Sequence, residues 1–373
     1  MASPNDAGSE EIKVDQKTAP VWENREITEA DLFGSERRWR RGPEPVRAGG
    51  SLLPNGSPDY GLFGPGSMVW EVLLHPATVV FHHVGQQLAQ DAYMPIVAGI
   101  RDHEPIVRKA REGTLTAFDT FERASRGAGI HGLMWLGDTP TATGMAAFLH
   151  KIHSRVAGDL IDIGAPELGG YAAASPRESM WAALTEMHPM LLMYEAFAFR
   201  DGEAPHRLTD EERDRFIAES APYLSAHSAP EDEIPHSMAD LERLYAKYDH
   251  LFGHSETLPV SPEFGYNYMD LMIGSVTKNF IPSHQRAAMV SAQLYQVPRK
   301  AATGALPHRM RRALGLSPEA EADAVAEIER FLPTAWEMQQ PENEREILRL
   351  MWGPYGVDFF ESARELHRAA KAA

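Results

Sequence analysis

The sequence predicts an all-α protein, and three observations support this fold class. Apolar residues recur at the three- and four-residue spacing of amphipathic helices along most of the chain. Period-two alternation, which is typical of strands, is scarce, and no regular succession of strands and helices occurs. Because 43% of the 373 residues are hydrophobic, such helices have enough apolar surface to bury a substantial core.

Helix starts and proline breaks locate the individual helices. Thr28 to Asp31 has the composition of a helix start, and the apolar segment from Ser67 to Ile100 is interrupted at Pro76 and Pro95, which predicts packed helices with breaks. Further helices are expected at about 105–126, 140–162, 176–199, 209–220, 237–250, 262–279, 284–297, 318–330 and 356–371.

The chain is expected to consist of a short tail and one domain. Residues 1–26 are polar and lack periodicity, which indicates a flexible N-terminal tail. Residues 27–373 are predicted to form a single domain. The apolar helices on either side of the proline-rich stretches 201–207 and 228–236 could not bury their faces separately.

Composition excludes several classes of function. The 53 acidic residues outnumber the 36 Lys and Arg and give a formal net charge of -17, so no nucleic-acid partner is expected. The chain has no cysteine, which excludes iron-sulfur clusters, thiolate-bound haem and Cys-bound zinc, so any metal must rest on His or carboxylates. The first residues lack a secretory pattern, and no apolar run approaches the ~18 residues of a spanning helix. We therefore expect a cytoplasmic protein with no membrane span.

Common catalytic motifs are absent or wrongly placed. Residues 127–132 (GAGIHG) match the dinucleotide-binding pattern GxGxxG, but a helical pattern precedes them where that fold needs a strand. No phosphate loop, nucleophile elbow or HExxH motif occurs. The ExxH from Glu203 to His206 contains a proline and lies in a predicted loop, which argues against a carboxylate-bridged di-iron site.

One histidine is placed to enter the core. Asp138 and Pro140 form a cap and first turn for the following helix. At 100° per residue, His153 lies about 60° from the centre of the apolar stripe of this helix, whereas His150 lies about 120° away. The predicted stripe consists of Met145, Leu149, Ile152, Val156 and Leu160.

Several segments, in order and at matching spacing, resemble the MpaB-like oxygenase family, which includes the latex-clearing rubber oxygenases. They are FGPGSMVW at 63–70, LAQDAYMPIVAGIRDH at 88–103, LGD at 136–138, IHSRVAG at 152–158, YAAASP at 171–176, the block from Trp181 to Tyr194, and LPHRMRRALGL at 306–316. The resemblance implies an all-α, globin-like multi-helix core around a non-covalent haem b, with the histidine of IHxxVxG, here His153, as the iron ligand. The helical face and the resemblance thus indicate the same side chain.

The resemblance also bears on the residues around the haem. Family members carry an RxxxT-type motif about 26 residues before the ligand histidine. Here Arg123 matches the arginine and is expected to contact a haem propionate or to be structural. Arg126 occupies the position of a distal lysine, and Gly127 replaces the threonine. His131 offers a second distal polar group, and Tyr171 could reach the haem edge. A further departure is Ala183, where many members have histidine.

Together these features predict a haem b-dependent oxygenase. Dioxygen would bind the iron and be polarised by Arg126 or His131, and a small apolar or prenylated organic substrate would lie against side chains such as Met187, Met190 and Leu191. Two alternatives remain open from sequence: a peroxide-dependent haem oxidase, and a non-catalytic haem-binding or haem-sensing protein. Fold resemblance does not identify the substrate.

Overall fold

A computed structural model describes residues 26–32 and 44–373. In this part of the chain helices predominate and the strands form only two small sheets, so the all-α prediction is confirmed. The globin-like arrangement around a haem remains a prediction. The expected N-terminal tail, 1–26, lies outside the described residues except for Glu26.

The helices follow the chain in an order close to the predicted one. They are α1 (Glu29–Leu32), α2 (Met68–Leu73), α3 (Pro76–Asp91), α4 (Met94–His103), α5 (Pro105–Arg111), α6 (Ala117–Leu136), α7 (Thr139–His153), α8 (Pro176–Phe197), α9 (Asp210–Glu219), α10 (Ala221–Ala226), α11 (Met238–Lys247), α12 (Tyr268–Lys278), α13 (Gln285–Ser291), α14 (Arg299–Ala305), α15 (His308–Ala313), α16 (Pro318–Met338) and α17 (Pro341–Ala372). A π-helical segment, Ala292–Gln296, follows α13. Helix α17 is broken at Gly353, whose φ of 73° is outside the helical region and which precedes a proline.

Two short hairpins complete the fold. Strands β1 (Ser51–Leu52) and β2 (Pro58–Asp59) pair antiparallel, with Ser51 opposite Asp59. Strands β3 (Ala157–Gly158) and β4 (Tyr171–Ala172) also pair antiparallel, with Gly158 opposite Tyr171. The second hairpin begins directly after α7 and therefore sets where that helix ends.

The centre of the core is α8. It begins where Ser175 caps the amide of Glu178 and Pro176 occupies the first turn. Nearly all its side chains are buried, as expected for a helix that is apolar around its circumference. The most extensive helix pairing in the described part of the chain joins α8 to α3, and one cluster of buried apolar side chains includes residues from Ala48 to Ala363.

Helix α6 differs from the prediction in length. The sequence predicted one helix at about 105–126, but the chain forms α5 and then α6, which continues through Gly127, Gly129 and Gly132 to Leu136. Each helical glycine costs roughly 1 kcal/mol relative to alanine. Packing offsets this cost, because α6 lies against α7 and α17 and the side chains from Leu133 to Leu136 are buried.

The start of α7 is held by the first hairpin. Asp138 caps the amide of Thr141 with one carboxylate oxygen and accepts a hydrogen bond from the Ser51 hydroxyl with the other. Asp59 of β2 accepts hydrogen bonds from the amide and the hydroxyl of Thr139. Both carboxylates stabilise the positive end of the helix dipole and fix its position.

No helix among the described residues is both long and apolar enough to cross a membrane.

Two glycine substitutions should separate close helix packing from helix propensity. A Cβ added at Gly304 of α14 would overlap the backbone carbonyl of Ala324 on α16, whereas Gly144 of α7 has open space at that position. We expect Gly304→Ala to destabilise the protein by about 2–4 kcal/mol through overpacking. Gly144→Ala should instead stabilise it by up to ~1 kcal/mol. Urea unfolding followed by circular dichroism measures both changes, and effects of the same sign would contradict the close crossing of α14 and α16.

Candidate functional site

Polar side chains from three helices meet inside the apolar core. Helix α6 contributes His131, α8 contributes Glu186, and α10 with its C-cap contributes Tyr223 and His227, which share a face at i and i+4. We call these four residues the inner cluster. Glu186, Tyr223 and His227 are buried and His131 is partly buried.

Glu186 is the centre of the inner cluster. Its carboxylate is fully buried, and Oε2 accepts a 2.6 Å hydrogen bond from the Tyr223 hydroxyl. Oε1 lies 2.9 Å from His131 Nδ1 and 3.8 Å from Nε2 of His82 on α3. Neither contact has hydrogen-bond geometry, so within the described residues Oε1 has no hydrogen-bond donor. A buried carboxylate oxygen without a donor is costly and calls for a compensating charge.

Burial keeps three histidines of this region, His82, His83 and His227, mainly in their neutral forms. Burial lowers the pKa of His83 to about 3 and that of His227 to about 4, and it lowers the pKa of His82 well below its usual range. His227 Nδ1 lies 3.0 Å from the Tyr223 carbonyl oxygen. Because a carbonyl only accepts, Nδ1 carries the proton and Nε2 has the free lone pair.

His153 is the last residue of α7 and lies close enough to the inner cluster to interact with it electrostatically. Burial, together with the neighbouring His227 and His131 rings, lowers the pKa of His153 to about 4, so its imidazole is neutral at pH 7. No hydrogen bond to this ring is found among residues 26–32 and 44–373. The ring is half-buried, and His150 is exposed, in agreement with the predicted orientations of the two side chains.

The predicted apolar stripe of α7 is wrong in part. Ile152 is 39% exposed, and Val156 and Leu160 lie beyond the end of the helix. The buried face instead follows Ala142, Ala146 and Leu149, which are spaced by three and four residues and lead directly to His153. The prediction failed because it counted past the C-cap at Ser154, where the chain turns toward β3.

The two candidate arginines of α6 lie in ion pairs. Arg123 makes a bidentate pair with Glu104, at 2.6 Å from Nε and 2.9 Å from Nη2, and its charge contributes to lowering the pKa of His153. Arg126 pairs with Glu122 one turn earlier, at 2.9 Å, and both side chains are exposed. A Cβ at Gly127 would lie 3.1 Å from Arg123 Nη1, so the glycine gives this guanidinium room.

Tyr171 packs in the hairpin that follows α7. Its hydroxyl donates a 2.7 Å hydrogen bond to Asp102, and its ring covers Gly158 and Gly99. Asp102 is paired in turn with Arg101. Of the residues predicted from sequence, the structure therefore brings His131 and His153 to one region with Arg123 nearby. Arg126 lies on the surface and Tyr171 is bound to Asp102.

The sequence prediction missed Glu186, Tyr223 and His227. Glu186 carried a signal, because a carboxylate in the long apolar run of α8 is unusual and must be compensated. The adjacent His82 and His83 in the apolar α3 carried a similar one. Tyr223 and His227 lie on and just beyond the six-residue α10, whose sequence gives no sign of what it packs against.

Removing the Tyr223 hydroxyl should expose its role in the inner cluster. Tyr223→Phe leaves Glu186 Oε2 without its buried donor, so we expect a loss of about 1–3 kcal/mol of unfolding free energy. Tyr60→Phe is the matched control, because the Tyr60 hydroxyl makes no hydrogen bond within the described part of the chain. Equal stabilities of the two variants in urea would show that the Tyr223–Glu186 bond is not significant.

Comparison with known proteins gives one match. A family profile described as "ER-bound oxygenase mpaB/B'/Rubber oxygenase, catalytic domain" matches residues 70–336. This range includes α3, α6, α7, α8 and α10, and with them the inner cluster and His153. No curated protein and no solved structure gives a match.

Proposed function

We propose that this chain, which belongs to the family of MpaB and rubber oxygenase catalytic domains, is a haem b-dependent oxygenase that holds the iron on His153. The observation that carries the proposal is the state of His153. It is a neutral, half-buried imidazole without a hydrogen-bond partner among the described residues, and it stands at the end of a core helix beside buried polar groups.

The residues present fit a haem that His153 would hold through its imidazole. A neutral imidazole nitrogen is a good ligand for haem iron, and burial keeps His153 in that form. Arg123 would supply a cation for a propionate, either by giving up its ion pair with Glu104 or by keeping it. Tyr171 helps to place His153 indirectly, because it packs the β3–β4 hairpin into which α7 runs. When bound, the haem would supply the iron that activates dioxygen.

We assign to His131 the role of the polar side chain that would polarise dioxygen. Arg126 is the other candidate from sequence, but its guanidinium is paired with Glu122 on the surface. His131 lies one helical turn after Gly127, the position where relatives resembling this chain have threonine, and so it faces the same side of α6. A polar group there can donate to or polarise a ligand held in the core.

The surroundings favour an apolar substrate. Met190 follows Glu186 by one turn on the same side of α8, and Met187 and Leu191 are also fully buried. Thioether and aliphatic side chains bind apolar molecules and adapt to their shape. We therefore propose a small apolar or prenylated compound as the substrate.

Replacing each of the two histidines of α7 by alanine tests which of them binds the iron. We expect His153→Ala to abolish stoichiometric haem retention and His150→Ala to preserve it, because His150 is exposed. Absorbance of the haem band per mole of purified protein measures retention, and far-ultraviolet circular dichroism controls for folding. Equal haem loss in both variants, with folding intact, would refute His153 as the ligand.

Turnover distinguishes an oxygenase from the two alternatives. With isotopically labelled dioxygen, a reductant and short prenylated alkenes, we expect products that carry the label, detected by mass spectrometry. Product formation only with peroxide would indicate a peroxide-dependent oxidase. Stable haem without product under either condition would indicate a binding or sensing protein.

A further inference from the structure

We infer that His131, Glu186 and His227 form a binding site for a divalent transition-metal ion that is separate from His153. Each of the three offers one ligand atom, and these atoms lie within 4.8 Å of one another. Imidazole nitrogens and carboxylate oxygens bind such ions at about 2.0–2.2 Å. Small side-chain adjustments would therefore bring the three atoms around one ion.

The strongest sign of a cation is Glu186 Oε1, which accepts no hydrogen bond from the described residues although it lies 2.9 Å from His131 Nδ1. The residue has no solvent exposure, and its Oε2 is bound to Tyr223. Water cannot solvate Oε1 from bulk at this depth. A metal ion would supply the missing charge and partner together.

Tyr223 contacts all three ligands, and its hydroxyl lies 2.8 Å from His131 Nδ1, which leaves the Nε2 of His131 as the nitrogen free to bind an ion. Its hydroxyl donates to Glu186, and its backbone carbonyl accepts from His227 Nδ1, which leaves His227 Nε2 with a free lone pair. Histidine ligands of metals typically donate their other N–H to a carbonyl or carboxylate in this way. Tyr223 is therefore a positioning residue for the ion.

An ion pair between protonated His131 and Glu186 is the simplest alternative. It would supply charge to Oε1, but it leaves His227 Nε2 unused and both ring nitrogens of His82 without partners. An ion at the inner cluster uses the His227 lone pair. His82, with Nε2 3.8 Å from Oε1, is then available as a further ligand or as a hydrogen-bond partner for bound water.

The donor set restricts which ion fits. Two imidazoles and one carboxylate suit Fe²⁺ or Zn²⁺, and this combination with open positions is typical of non-haem Fe²⁺ oxygenases. Mg²⁺ and Ca²⁺ prefer oxygen ligands throughout. The inference does not require haem.

Metal binding to the full chain tests the site. Haem-free protein is treated with a chelator to remove bound metal, and the chelator is then removed. Separate samples are mixed with Fe²⁺ in the absence of oxygen, with Zn²⁺, or with Mg²⁺. After gel filtration, elemental analysis should find one Fe²⁺ or Zn²⁺ per chain, with a raised melting temperature, and no retained Mg²⁺. Failure of the wild-type protein to retain either transition metal would overturn the inference.

Variants locate the ion. Glu186→Gln and His227→Gln should each weaken binding at least ~10-fold, because loss of a residue that only supports a metal ligand already has an effect of that size. His188→Gln is the matched control, because His188 is equally buried on α8 but bonds to Tyr245. Equal affinity in all variants would overturn the assignment. If the ligand variants do not fold, X-ray absorption of the Co²⁺-loaded wild-type protein should show imidazole and carboxylate ligands, and a shell of oxygen ligands alone would count against the site.

His153→Ala separates this inference from the proposed function. We expect that variant to lose haem and to keep the ion, and Glu186→Gln to do the reverse. Loss of the ion in His153→Ala would place the ion at His153 and overturn a separate site. If the wild-type protein binds the ion but does not bind haem, the haem proposal fails and the metal site stands.

Discussion

The carboxylate of Glu186 constrains the helices around it. It is buried in the middle of α8, the central helix of the core, where an uncompensated charge would cost several kcal/mol. Each neighbouring helix places a polar side chain toward it: His82 from α3, His131 from α6 and Tyr223 from α10. A shift of α10 would leave Glu186 Oε2 without its donor, and a shift of α6 would separate His131 from Tyr223, so the buried carboxylate and its partners constrain how α6, α8 and α10 pack.

The second constraint acts on α7 from both ends. Its start is held by Asp138 and Asp59 through the β1–β2 hairpin, and its end runs into the β3–β4 hairpin, where the amide of Val156 donates to the carbonyl of His153. A helix fixed at both ends carries its last side chain to a defined place. His153 therefore lies beside the inner cluster without a hydrogen bond to hold it there, which leaves its ring available to a ligand.

Local features of the fold were predictable because they depend on neighbouring residues. Asp138 with Pro140 predicted the start of α7, the expected helix at 176–199 begins at Pro176 as α8 does, and the predicted break at Pro76 coincides with the start of α3. The glycines of α6 made the prediction of its end wrong. Their low helix propensity indicated a break, but packing against α7 and α17 keeps the helix intact. The inner cluster was out of reach for a different reason. Its members come from distant parts of the chain, and no local pattern states that α10 packs beside α8.

The departures from the family pattern on α6 form one connected change. Where relatives resembling this chain carry threonine, Gly127 opens room for Arg123, and Arg123 is paired with Glu104. Arg126, at the position of a distal lysine, is paired with Glu122 at the surface. His131 lies one turn after Gly127 on the same face of α6 and contacts Glu186 and Tyr223. Under the proposed function, oxygen chemistry would depend on the His131 imidazole beside the Glu186 carboxylate in the core. Such a pair can bind a cation as well as a proton, and this is why the same residues bear on both oxygen chemistry and metal binding.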